Sequence, residues 1–139
     1  MEQIITRAVN FPIPRIIERY KHKNKLSEEE ARRHEMEMKK YLAIRAIHPT
    51  EKFPLSHGPV DELWHTFLIF TNEYAEFCRV VANGFIHHNP GPPNPTEEQI
   101  DKAQQDYNTF TKIYAEKFGE NPPSNIWPDI GKSGTLWSC

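Results

Sequence analysis

The chain has 139 residues, with 17 Lys and Arg against 19 Asp and Glu and a formal net charge of -2. That length suits one compact domain whose core needs no covalent staples, and the near-balanced charge supplies no broad field to attract nucleic acid. Two cysteines occur, Cys78 and Cys139, no basic-then-apolar leader precedes Val60, and no apolar run nears the roughly 20 residues a bilayer requires, so the expectation is a cytoplasmic, reduced protein with neither nucleic acid nor a membrane as partner.

Ile4 to Val9 is rich in β-branched residues and precedes Pro12 and Pro14, so it reads as a short extended segment. A first helix is predicted from Pro14 through Ile16, Ile17 and Tyr20. The basic stretch from Arg15 to Lys25 then reads as its solvated face. Ser27 followed by Glu30 is a capping-box pattern that opens a second helix, with Ala31, Met38, Tyr41 and Leu42 on one stripe running toward Ala46. Pro49 and Pro54 mark a loop.

Pro59 stands where a helix start favours it, and Val60, Leu63, Trp64, Phe67, Leu68, Thr71, Tyr74, Ala75, Cys78 and Val81 then recur at threes and fours. This predicts one central helix that ends at Asn83 and Gly84. Pro90, Pro92, Pro93 and Pro95 form a stiff connector, and Thr96 with Gln99 opens the last helix, whose inner face is Ile100, Ala103, Tyr107, Phe110, Tyr114 and Phe118 before Gly119. The tail has no helical period, but Ile126 and Trp127 are too apolar to stand in water and should pack back on the bundle. The predicted fold is all-α: a single domain over residues 1–139, about four helices with long Pro-rich connections, an antiparallel hairpin of the central and last helices, and an ordered C-terminal tail.

The chemistry-bearing residues gather around the central helix. Asp61 and His65 lie about 40° apart in projection and one turn apart in rise, at the edge of the apolar stripe. A carboxylate so placed either orients an imidazole toward a metal or substrate, or makes an ordinary polar i,i+4 pair. His87 and His88 follow the helix, and because neighbours in extended chain point opposite ways, one of the two would face a shared point. A straight helix from His65 to Asn83 rises about 27 Å, too far for the few residues before His87 to retrace. A shared site therefore requires the helix to break near Thr71 and Asn72, or a second molecule to supply the histidine. His57 and His48 sit at the Asp61 end, on loops, and either could meet the pair or stand exposed. Cys78 on the stripe reads as core filler. A phosphate-cradling glycine loop, a nucleophile elbow, a Cys-x-x-Cys pair and a His-Glu-x-x-His helix are absent from the sequence.

As an ordered set, Val60, Asp61, Trp64, His65, Phe70, Thr71, Tyr74, Phe77 and Cys78, then Phe85, Ile86, His87, His88 and Pro90, and finally Tyr107, Thr111, Tyr114, Phe118, Gly119, Pro122, Pro123, Ile126, Trp127 and Pro128 resemble the glycine-rich domain-containing protein-like family over roughly Phe53 to Pro128. The resemblance implies no particular reaction. It does imply that Asp61, Trp64, His65, Cys78, His87 and Pro90 are better candidates than His22, His34 or His48. The chain departs from that pattern in lacking a glycine-rich tail.

Two functions follow as expectations. One is a small helical binding or interaction domain, for a protein or small-molecule partner, with a metal site drawn from Asp61, His65, His87, His88 and His57 that holds zinc or another transition metal. The other is a metal-dependent hydrolase or other metalloenzyme using Asp61, His65 and a second histidine.

Overall fold

Six helices make up the regular structure of the computed structural model, which describes residues 2–55, 57–89 and 91–127. They are α1 (Glu2–Asn10), α2 (Pro14–Asn24), α3 (Glu28–Ile47), α4 (Pro59–Ile69), α5 (Thr71–Ala82) and α6 (Glu97–Phe118). The all-α class is therefore correct, and among the described residues there is no strand. None of these helices is long and apolar enough to cross a membrane. The expected ordered tail beyond Trp127, with Pro128 and Cys139, lies outside the described residues, as does Pro90.

Six helices stand where the sequence pattern delivers four, and two local corrections account for the difference. The segment expected to be extended, Ile4 to Val9, is inside α1. Its Ile4, Ile5 and Ala8 share one helical face, and Ala8 is fully buried, so packing on α3 outweighs the modest β preference of the branched residues. The predicted central helix is two helices, α4 and α5, separated at Phe70. The corner is required by a hydrogen bond: Trp64 Nε1 donates to Tyr74 Oη at 3.0 Å, whereas ten residues of straight helix would separate their backbones by about 15 Å. The Phe67 and Tyr74 rings meet edge to face across it, with centroids 4.9 Å apart.

The described residues fall into two compact units. One comprises Met1–Pro49 with Glu62–Ile86, the other Thr50–Asp61 with His87 onward. In the first, α3 packs against α1, α2 and α5, and α5 packs against α1 and α3. Phe11 meets Phe77 edge to face at 5.3 Å, and Tyr41 meets Trp64 at 5.6 Å. Lys39 is only 4 % exposed. Its ammonium pairs with Glu35 at 2.6 Å and reaches the Val9 carbonyl at 3.4 Å, which places a cation on the C-terminal end of α1 where the helix dipole favours one.

In the second unit, α6 begins at the predicted capping box: the Thr96 hydroxyl accepts from the Gln99 N–H while the Gln99 side chain accepts from the Thr96 N–H. It ends at Gly119 with φ 75°, a left-handed conformation suited to glycine. Ile126 and Trp127 are buried, as their apolarity demands, and the Trp127 ring stacks obliquely on Phe110 at 5.1 Å.

One part-buried histidine gives the first unit a pH dependence. Tyr20 Oη and His34 Nδ1 lie 2.8 Å apart. Burial, followed by the carboxylates of Glu62 and Glu30, holds the Tyr20 hydroxyl well above its usual range, so it stays protonated. Burial lowers the His34 imidazole, Arg33 adds to that, and Glu30 opposes it. The folded state thus binds fewer protons here than the unfolded chain, so stability is full above the usual imidazole value of about 6.5 and falls as the pH drops through it. His34→Gln should lose less stability than wild type between about pH 7.5 and 5 in urea denaturation. Parallel profiles would remove His34 as the source.

Candidate metal site

The site is built on the first turns of α4. Pro59 starts this helix without needing an N–H partner, and Asp61 follows in its first turn, where a carboxylate is favoured by the helix dipole. Asp61 is only 2 % exposed. A carboxylate withdrawn so far from water requires polar partners. His88 is one: its Nε2 lies 3.0 Å from Asp61 Oδ1, the two groups being part-buried. His57 approaches the other oxygen, with Nδ1 3.6 Å from Oδ2, and its side chain is 73 % exposed.

His65 comes one turn after Asp61 on the same unbroken helix, on an exposed position. One donor atom from each of Asp61, His65 and His88 lies within 4.8 Å of the other two. Of the sequence-predicted residues, then, Asp61, His65 and His88 come together, and His57 stands beside Asp61. His87 is exposed and is outside that group, as is His48, which sits at the C-terminal end of α3. The alternation of extended backbone decides between the two neighbouring histidines. Ile86 and His88 turn inward and Phe85 and His87 outward.

What delivers His88 is a hydrogen-bonded clamp two residues earlier. Tyr74 Oη accepts from Trp64 Nε1 and donates to the Ile86 carbonyl, while the Ile86 N–H donates to Cys78 Sγ at 3.4 Å. Burial raises both the Tyr74 hydroxyl and the Cys78 thiol, so both remain protonated near neutral pH and able to donate. Cys78 is thereby held in a structural role, consistent with core filler. Arg45 lies over the Trp64 ring at 5.5 Å and over Tyr41 at 5.8 Å, donating to Tyr41 Oη at 3.2 Å.

Sequence reading treats Trp64 and Tyr74 as core aromatics and misses their polar function. The available signal was two aromatics with polar tips on one buried stripe, each of which must find a partner once buried. The break it leaves open near Thr71 falls at Phe70, and that break is what removes the 27 Å objection, an estimate made for a straight helix of about 1.5 Å per residue. A shallow cavity on α3, lined by Glu28, Glu29, Arg32, Arg33 and Met36, involves none of the candidate ligands.

A family model described as UCP032817-like matches residues 2–120, which is most of the chain. The chain belongs to the UCP032817-like family. This corrects the resemblance to the glycine-rich domain-containing protein-like family. That likeness rested on the stretch from Phe53 onward, where aromatics at three-and-four spacing and a proline connector are what any buried helical stripe and stiff loop require. The UCP032817-like match includes α1, α2 and α3 as well. No curated protein and no solved structure matches the chain.

Proposed function

We propose that the protein is a small helical binding domain in which Asp61, His65 and His88 hold a divalent transition-metal ion, zinc being the best match. The observation that carries this reading is the convergence of one buried carboxylate and two imidazoles, with a donor atom from each within 4.8 Å of the others. Zinc takes nitrogen at about 2.0–2.1 Å and carboxylate oxygen at about 2.0–2.2 Å, so neighbouring tetrahedral ligands stand roughly 3.3–3.5 Å apart. The Asp61–His88 separation of 3.0 Å is already near that value. Imidazole and carboxylate donors together also suit iron, copper and nickel, so the choice of metal is a matter for measurement.

The second reading is a module for a protein or small-molecule partner in which Asp61 and His88 are a structural pair. The part-burial of their 3.0 Å contact favours it, because a carboxylate withdrawn from water requires such a polar partner whether or not a metal is bound. The single-domain organisation is proposed on chain length, and one cooperative thermal transition would be its signature.

Metal content of tag-free protein and thermal shifts separate the two readings. With Zn²⁺ at 100 times Kd, the protein should gain about 2.7 kcal/mol, and His65→Ala and His88→Ala should each remove that gain while staying folded. If wild type and both variants respond alike, or if none responds to Zn²⁺, Fe²⁺, Cu²⁺ or Mn²⁺, the metal reading is lost and the interaction module stands.

A further inference from the structure

We infer that a metal ion held by Asp61, His65 and His88 keeps one exchangeable position, and that this position takes water or a small oxygen- or nitrogen-donor anion such as a carboxylate. The inference rests on the metal reading above and specifies what that site would bind. Three features support it. First, among the described residues the donor group contains three side chains, one fewer than a closed structural zinc site uses.

Second, the donors are graded in exposure: Asp61 is buried, His88 half-buried and His65 exposed. An ion among them therefore has a protein side at Asp61 and a solvent side at His65. A further imidazole, His57, lies 3.6 Å from the second Asp61 oxygen but falls outside the donor group. The Cys78 sulfur accepts from the Ile86 N–H and is buried as a neutral thiol, so it is committed elsewhere.

Third, the charge count favours an anion. A divalent ion with one carboxylate and two neutral imidazoles carries a net charge of +1, and a site with three protein ligands and a solvent-filled position is the arrangement that lowers the pKa of bound water and binds competing anions. A site closed by a fourth protein ligand would have neither property. His57 belongs to the rim in this account, close enough to line the approach yet not a ligand.

Cobalt serves as the probe because its visible bands report the ligand set directly. The full-length chain is loaded with Co²⁺, its absorption recorded, and azide and then acetate titrated in, for wild type, His57→Ala and His88→Ala. The expected result is bands in wild type that shift saturably with azide, the same shift and midpoint in His57→Ala, and no bands in His88→Ala. Bands that appear in wild type but ignore both anions would overturn the open position while leaving the metal site intact. Anion sensitivity seen in His57→Ala alone would overturn it too, by showing that His57 is the fourth ligand. Absence of bands in every form would instead remove the metal reading itself.

Discussion

Phe110→Ala should lower stability by about 3 to 5 kcal/mol, the range for removing a large aromatic from a closed core. Phe110 is fully buried in α6, and its ring is surrounded by those of Phe53 at 5.9 Å, Tyr107 at 6.0 Å, Tyr114 at 6.1 Å and Trp127 at 5.1 Å. Four large rings cannot all move inward, so most of the cavity persists after truncation. The loss reaches beyond one contact. Trp127 has no helix of its own, and this ring is one surface it lies on. The measurement is the urea midpoint at constant m. A shift equivalent to less than about 1 kcal/mol would mean that the surroundings collapse into the space and that the aromatic cluster is not the core of this unit.

Tyr74→Phe is expected to cost about 2 to 4 kcal/mol although it removes a single oxygen atom. That oxygen accepts from Trp64 Nε1 and donates to the Ile86 carbonyl, and both residues are buried. Phenylalanine leaves a buried donor and a buried acceptor without their partner, and an unmade hydrogen bond of this kind costs more than a made one contributes. The same change should weaken Zn²⁺ binding, because Ile86 fixes the backbone two residues before His88. A double-mutant comparison with Trp64→Phe tests the mechanism. If the energies of the two substitutions add, the hydroxyl is not what couples α4 to the return.

Much of this architecture is local and could be read from the chain. The two capping boxes, Ser27 with Glu30 and Thr96 with Gln99, appear where predicted because each is closed within four residues and needs nothing from elsewhere. Pro14 and Pro59 begin helices, and Asn83 and Gly119 end them in the left-handed conformation, for the same reason. The stripe from Val60 to Val81 identified most of the buried face, although Thr71 and Ala75 on it are exposed and Phe77 outside it is buried. It did not reveal the corner at Phe70, because helical periodicity continues unbroken through a turn that is made by side-chain hydrogen bonding and not by a proline or glycine.

Tertiary structure decided the remainder. The helical state of α1 depends on burying Ala8 and its neighbours against α3, a partner some thirty residues away that no window of local propensity contains. For the candidate site, the i,i+4 spacing of Asp61 and His65 was set by the sequence, since it is a property of one helix. The third donor was not. Whether His87 or His88 turns inward depends on the phase of the extended segment after Ile86, and that phase is established by Tyr74 and Cys78 gripping the Ile86 backbone. Short-range residue chemistry thus determined which groups were available, and a long-range backbone clamp determined which of them meet.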